Sequence, residues 1–280
     1  MAELNLTYVE TVEAARKGRE KRLIEAERSW LTLSGLFSLK EGPNTFGGAV
    51  ENDIILPGEG IPAQAGTFVL KGENVTLKPA PGLNMLCNGE RVPSRALRHD
   101  QDEKPDYLTI GALILVVIQR GGRMLLRMWD NNHPVRKHFA GLRYYPVDPA
   151  CKIEADFTAY ESPHMLQITD VLGNQFEMPH VGYVTFQWEG QACKLQAVGD
   201  EKNLYLSFRD KTNADATYGG GREVETELPK EGKVSIDFNM THNPPCAYTD
   251  FATCPLPPAE NVLPVRIEAG EQTYRKKLMR

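Results

Sequence analysis

A proline-rich segment between Asn239 and Asn261 carries the residues best suited to covalent chemistry, since it holds two cysteines, five prolines and two aromatic residues. Cys246 follows two of the prolines, and His242 lies four residues before it. A cysteine acts as a nucleophile or redox centre when a base or a positive charge favours its thiolate. Most free cysteines are instead small buried apolar residues, so a packing role for Cys246 stays open beside the catalytic one.

The second cysteine of this segment opens two further alternatives. Cys254 lies eight residues after Cys246, which is not a standard zinc spacing, and adding His242 gives an incomplete ligand set. A disulfide between the two cysteines is uncommon in a reducing cytosol. We therefore expect five free thiols and no metal site, with a disulfide or a bound metal as the alternatives; the cofactor is unknown.

A run of three glycines precedes Arg222 in the segment Thr217–Arg222. Glycines let the backbone approach a ligand closely, and the planar guanidinium fits a carboxylate or a phosphate. The spacing is neither that of a P-loop nor that of a dinucleotide fingerprint. We expect an anion site at Gly220 and Arg222, and the alternative is a structural ion pair of Arg222 with Asp210 or Asp237.

Polar residues also mark the end of a predicted strand at Asp237, Asn239 and Asn243. Alternation places the first two on one face, where they could orient a substrate or cap the following loop. Two tyrosines nearby would supply apolar walls with hydroxyl groups. The sequence thus predicts a pocket for a small anionic or polar molecule, formed by Tyr218, Gly220, Arg222, Asn239, Asn243 and Tyr248.

One more candidate anion site lies in the polar segment 129–141. His133 and His138 flank Arg136 there, and the alternative is a solvated loop. None of the histidines has the HExxH spacing of a zinc enzyme.

The elements that must position these residues are mostly strands. Residues Leu4 to Leu31 form one predicted helix, whose apolar positions recur every three or four residues with Arg19 as the one polar interruption. After Gly35 the apolar residues follow a period of two, which is typical of an antiparallel sandwich or barrel. No alternation of strands and helices indicates a parallel sheet.

We therefore predict a mainly β fold in three parts. Residues 1–34 form a helix packed on the first β part, residues 35–130 form an antiparallel β-sandwich, and residues 131–280 form a second antiparallel sandwich or barrel-like part. The predicted strands are Asp53–Leu56, Gly66–Leu70, Val75–Leu77, Tyr107–Ile118, Arg123–Trp129, Lys152–Tyr160, Met165–Asp170, Val181–Trp188, Ala192–Val198, Leu204–Arg209, Val234–Asn239 and Leu263–Glu268.

Composition excludes some function classes. The net charge of −5 argues against a sequence-independent grip on nucleic acid. The longest apolar run, Ala112–Ile118, is too short to cross a membrane, and the N-terminus has no signal-peptide pattern. We expect a cytoplasmic protein, and its oligomeric state stays open.

Parts of the first β region resemble forkhead-associated sandwiches, in Phe46-Gly47, Asn52–Leu56 and Asn88-Gly89. Those modules bind phosphopeptides through an Arg and a Ser/His pair. This chain has Gly47-Gly48 and Gly60–Ala63 at the matching places, so the resemblance implies a shared fold without phosphothreonine recognition. A protein–protein adaptor role for this region is an alternative function.

Eight motifs are spread along nearly the whole chain: Trp30–Phe37, Gly42–Gly47, Tyr144–Pro149, Phe208–Thr212, Thr217–Arg222, Asp237–Asn239, Asn243–Tyr248 and Cys254–Pro258. Together they resemble a bacterial and archaeal family of unknown function, DUF1684. The resemblance implies a shared fold and a shared site, and it carries no established reaction, so whether the protein is an enzyme stays open.

Overall fold

The chain forms two compact units, each with its own apolar core. The computed structural model describes residues 2–91 and 93–274. The sandwich unit spans Glu25–His138, and the helix–sheet unit combines Met1–Ile24 with Phe139–Arg280. The predicted boundary is residue 130, whereas the sandwich unit extends to His138. Arg136 of a short helix hydrogen-bonds to Ala26 and Asn131, which anchors this segment in the sandwich unit.

Two sheets share one core in the sandwich unit, which confirms the predicted sandwich. Phe46 and Phe68 enter the core from one sheet, and Leu115 and Leu126 enter it from the other. The strands are β1 Leu33–Ser38, β2 Gly42–Gly47, β3 Ile54–Ile55, β4 Gly66–Lys71, β5 Asn74–Pro79, β6 Leu86–Cys87, β7 Glu90–Arg91, β8 Arg95–Leu97, β9 Leu108–Ile110, β10 Leu113–Arg120 and β11 Arg123–Asp130, followed by the helix Val135–His138.

The two sheets of this unit have the orders β1-β11-β10-β9-β6-β7 and β3-β2-β4-β5-β8. All pairings are antiparallel except the short β2–β3 pair. The predicted strand 107–118 is two strands, because Gly111 has a positive φ of 56° and turns the chain between them. The forkhead-associated resemblance itself stays a prediction.

The helix–sheet unit holds one long helix and one six-stranded antiparallel sheet in the order β16-β15-β14-β13-β12-β17, which curves into a nearly closed, barrel-like form. Its core lies inside the sheet and includes Phe208, Ile236 and Phe238. The elements are α1 Ala2–Glu25, β12 Lys152–Thr169, β13 Gln175–Trp188, β14 Gln191–Gly199, β15 Asn203–Phe208, β16 Arg222–Glu227, β17 Lys233–Asp237 and short 3₁₀ turns at Pro149–Cys151, Lys211–Ala214, Phe238–Met240, Pro245–Ala247 and Ala259–Asn261.

Three strand predictions in this unit need correction. Two predicted strands merge into β12, which continues through an irregularity between Ala159 and His164. The predicted strand Leu263–Glu268 has no regular ladder, although Leu263, Val265 and Ile267 are buried in alternation. Strand β16 was not predicted, since its outward residues are all glutamates.

The helix α1 also differs from the prediction in its end and in its place. It ends at Glu25, not at Leu31, and residues 1–24 belong to the unit of the C-terminal strands. Hydrogen bonds explain why α1 belongs to this unit. Arg16 donates to the carbonyl oxygens of Tyr145 (3.1 Å) and Asn239 (3.2 Å), which anchors the helix to the helix–sheet unit. None of the described helices is long and apolar enough to cross a membrane.

Candidate ligand-binding site

A cavity of about 540 Å³ lies between α1 and the strand ends of the helix–sheet unit. Its volume falls in the range of small-molecule sites. Small residues on α1 leave room for it, and polar residues from three other segments surround it. The lining residues are Ala14, Ala15, Arg16, Gly18, Arg19, Arg22, Tyr144, Asn203, Glu225, Thr226, Glu227, Asn239, Met240, Thr241 and His242.

Arg19 is held in the cavity wall by three hydrogen bonds. Its Nε donates to Glu271 Oε2 (3.2 Å), and its Nη2 donates to the Asn243 carbonyl oxygen (2.9 Å) and to the Tyr248 hydroxyl (3.1 Å). The Nη1 atom has no hydrogen-bond partner among the described residues. The guanidinium is therefore fixed in place with one edge left for a ligand.

Glu271 is the fully buried counter-charge beneath Arg19. It also accepts hydrogen bonds from the Tyr248 hydroxyl and from the side-chain amide of Asn243 (2.8 Å). Burial raises the pKa of the Glu271 carboxyl, and the Arg19 charge opposes that rise. A buried carboxylate needs such partners because an unpaired one is costly.

Two further polar atoms of the cavity wall lack protein partners. The Thr241 hydroxyl belongs to a residue that is 1% exposed, and neither it nor the Tyr144 hydroxyl has a hydrogen-bond partner among the described residues. A buried hydroxyl left unsatisfied costs about 1–3 kcal/mol. Both oxygen atoms have almost no accessible surface, so a molecule in the cavity would not contact them directly.

His242 closes the cavity near Glu223, with 3.9 Å between His242 Nε2 and Glu223 Oε2. Burial and the nearby Arg19 and Arg22 charges lower the pKa of His242 to about 4. Burial raises the pKa of Glu223. The imidazole is therefore neutral at pH 7, where one ring nitrogen can donate and the other can accept.

The helix wall of the cavity is basic and the strand wall is acidic. Arg22 lies one turn after Arg19, is exposed at the rim, and forms no side-chain hydrogen bond or ion pair with any described residue. Glu225 and Glu227 of β16 line the opposite wall. This arrangement suits a small ligand with an oxyanion at one end and a hydrogen-bond donor at the other.

Three of the predicted ligand-binding residues are buried supports of this cavity. Asn239 is fully buried and exchanges hydrogen bonds with the backbone of Asp148, at 2.7 and 3.0 Å. Asn243 is 1% exposed and donates to Glu271 and to the Gln272 carbonyl oxygen. Tyr248 is also buried, with its hydroxyl shared by Arg19 and Glu271.

The structure corrects the assignment of Arg222 as a ligand-binding residue. Its side chain is fully buried and pairs with Asp210, with 2.7 Å between Arg222 Nη2 and Asp210 Oδ2. It points inward because Arg222, Val224 and Thr226 occupy the buried face of β16. Burial lowers the pKa of the guanidinium, and the Asp210 charge opposes this. This ion pair with Asp210 is one of the two alternatives to an anion site that were predicted from the sequence.

The glycines before Arg222 allow neighbouring side chains to pack closely against the backbone. A Cβ on Gly220 would lie 2.5 Å from the Tyr218 ring, and a Cβ on Gly221 would lie 2.6 Å from the Pro257 ring. Gly221 also has a φ of +101°, which favours glycine. These residues let the Tyr218 ring and the proline-rich segment pack closely, so Gly220 needs no ligand to explain it.

Tyr218 and Cys246 form a separate group. The Tyr218 hydroxyl donates to the Cys246 carbonyl oxygen (3.2 Å), and neither residue lines the cavity. Of the six residues predicted to form one pocket, only Asn239 lines this cavity. Arg136 belongs to the sandwich unit and hydrogen-bonds to Ala26 and Asn131.

Sequence reasoning missed the arginines of α1 as site residues. Arg16, Arg19 and Arg22 recur at three-residue steps, beside the small residues Ala15 and Gly18. A charged stripe with small neighbours on an otherwise apolar helix face was the signal that could have found them. Within residues 2–91 and 93–274, no group of three or more His, Cys, Asp or Glu side chains is placed to hold a metal ion.

The fold and the cavity together define a mainly β protein whose N-terminal helix forms one wall of a polar site. Residues 137–272 match the model of a family described as a protein of unknown function, DUF1684. The match confirms the predicted resemblance for residues 137–272, and the motifs Trp30–Phe37 and Gly42–Gly47 lie outside it.

One similar solved structure is the solution NMR structure of an uncharacterized protein from Haloarcula marismortui. The two sequences are 32% identical, and the match covers 52% of this chain and 81% of that one with a TM-score of 0.42. No curated protein matches the chain.

Proposed function

We propose that the helix–sheet unit binds a small molecule carrying a carboxylate or phosphate group, and that Arg19 and Arg22 hold this oxyanion. The observation that supports the proposal best is the hydrogen bonding of the Arg19 guanidinium. Three hydrogen bonds from Nε and Nη2 fix its guanidinium, and Nη1 is left without a partner among the described residues. A preorganised guanidinium loses little conformational freedom on binding, which favours affinity.

The other groups of the cavity support a ligand of mixed polarity. The imidazole of His242 lines the cavity in its neutral form and can donate or accept a hydrogen bond. Glu225 on the opposite wall suits a hydroxyl or ammonium group of the ligand. We therefore favour small hydroxy or amino acids and their phosphate analogues over purely apolar ligands.

Arg22 offers a test that leaves the buried network intact. We expect inorganic phosphate or citrate to raise the melting temperature above that seen with chloride at equal ionic strength. Replacing Arg22 with Gln should weaken the binding of these probes about tenfold, or about 1.4 kcal/mol, because one charged donor is lost. The melting temperature without ligand should change little, since Arg22 has no partner in the described chain.

Lys17 provides the matched control on the same helix. It is exposed and does not line the cavity, so Lys17→Gln removes the same charge elsewhere. An equal loss of the ligand-induced shift in both variants would reduce the effect to net charge and reject the site. No shift with either probe in the wild-type protein would also count against an oxyanion site.

The two alternative functions stand apart from this cavity. Adaptor function of the sandwich unit stays a prediction. Cys246 contacts Tyr218 and Cys254, and none of these three residues lines the cavity.

A further inference from the structure

Two cysteines from separately anchored parts of the proline-rich segment meet in the helix–sheet unit. Cys246 lies in the 3₁₀ turn Pro245–Ala247. The carbonyl oxygen of Cys254 accepts a hydrogen bond from the Val171 backbone, which ties it to the end of β12 (3.0 Å). The backbone N–H of Cys246 donates to Cys254 Sγ at 3.3 Å.

This contact brings the two residues close to disulfide range. Standard bond lengths and the 3.3 Å contact limit the separation of the two Cα atoms to roughly 7.6 Å at most, whereas disulfides usually span about 4.4–6.8 Å. Both cysteines are free thiols. A modest movement of the 3₁₀ turn is thus enough to join them.

The surroundings make the two thiols unequal. Cys246 is partly exposed, and Cys254 is buried. Hydrogen bonding from the Cys254 thiol and from the Tyr218 hydroxyl, opposed by burial, lowers the pKa of Cys246 to about 7. The Cys246 contact and burial raise the pKa of Cys254. Accessible thiolate beside a protonated partner is the arrangement of an attacking and a resolving cysteine.

We propose that Cys246 and Cys254 form a redox-active dithiol that exchanges with small-molecule disulfides. The Cys246 thiolate attacks one sulfur of the disulfide, so a mixed disulfide forms and the first small thiolate leaves and takes up a proton. Cys254 then loses its proton and attacks Cys246 Sγ, which expels the second small thiolate. The protein gives up two electrons and gains one internal disulfide, while the small disulfide becomes two thiols.

The surroundings of the other cysteines also explain why Cys246 is the attacking thiol. Cys87, Cys151 and Cys193 are all buried, and burial is the largest cause that raises the pKa of each thiol. They therefore lack both the access and the thiolate that exchange requires.

Oxidised glutathione serves as the probe in the first test. The reduced full-length protein is mixed with it at pH 7, and intact mass, thiol count and peptide mapping are followed. We expect a mass loss of two hydrogen atoms, three thiols remaining of the five, and a Cys246–Cys254 linked peptide. Cys254→Ser should trap glutathione on Cys246, because the resolving thiol is gone. Cys246→Ser should give neither product, and Cys193→Ser should behave as wild type.

A second measurement keeps the proposal testable if Cys254→Ser does not fold. The rate at which iodoacetamide alkylates Cys246 in the wild-type protein is measured against pH. We expect half of the plateau rate near pH 7, below the value of about 8.5 for an ordinary cysteine. A midpoint at or above about 8.5, a stable glutathione adduct on wild-type Cys246, or no loss of thiols would each overturn the proposal.

Discussion

Arg222 and Asp210 form a buried ion pair that ties the C-terminal segment to the sheet. Arg222 Nη2 lies 2.7 Å from Asp210 Oδ2, and both side chains are fully buried. The same guanidinium donates to the carbonyl oxygens of Ala269 (2.6 Å) and Ile267 (2.8 Å). The segment around these residues has no regular ladder, so the guanidinium takes the place of strand pairing there.

Arg222→Met should therefore lower the free energy of unfolding by about 3–5 kcal/mol, because it leaves the buried Asp210 charge without its partner. Urea unfolding measures this loss. Arg266→Met is the matched control, since Arg266 forms exposed pairs with Asp215 and Glu268, which should contribute little to stability. Similar losses in the two variants would contradict the structural role of Arg222.

The glycine run gives a second prediction. Gly221→Ala should lower the free energy of unfolding by about 1–3 kcal/mol or more, because its φ of +101° strains an alanine and its Cβ would meet the Phe208 carbonyl oxygen at 2.8 Å. Gly219→Ala is the control: its nearest neighbour would lie at 3.9 Å, and its backbone is not in the left-handed region. If thermal melts show equal losses, the packing explanation of the run is wrong.

The neutral state of His242 predicts a pH dependence. Its pKa is lowered to about 4 by burial and by the Arg19 and Arg22 charges, below the usual value of about 6.5. The unfolded chain therefore binds a proton more readily between these values. The stabilisation is complete above pH 6.5 and is lost as the pH falls from 6.5 to 4.

NMR titration of the His242 ring should give a midpoint near 4 in the folded protein and near 6.5 in the urea-unfolded chain. The stability of His242→Gln should fall less between pH 7 and pH 5 than that of the wild type. A folded midpoint near 6.5 would show that the ring is not held neutral by its surroundings.

Local signals in the sequence predicted much of the sheet structure. The hairpin between β13 and β14 follows from the Glu189-Gly190 turn, where both residues adopt positive φ (49° and 75°). Apolar alternation likewise located β3, β4, β5 and β9 to β11 of the sandwich unit, whereas β1, β2 and β6 to β8 were not predicted. These signals are reliable because strand alternation and turn conformation depend on neighbours in sequence.

The candidate site was harder to predict because long-range pairing decides it. Arg19 and Glu271 are 252 residues apart in the sequence, and no local sequence pattern predicts that they pair. Leu263 to Ile267 alternate like a strand, yet Leu263 N–H pairs with the Arg209 carbonyl oxygen outside any regular ladder. The burial of Arg222 could have been predicted, since Arg222, Val224 and Thr226 alternate on one face of a strand. The glycines before Arg222 favoured a ligand site instead.

Mapping of backbone amide shifts during a phosphate or citrate titration tests the proposed function most directly, because it locates the ligand on the chain. We predict that the largest changes fall on Gly18 to Arg22 of α1 and on Met240 to His242, with little change at Tyr218 to Gly221. The same titration of Arg22→Gln should need a higher ligand concentration. Changes centred on the glycine run or on the sandwich unit, or no changes along the α1 cavity, would contradict the account.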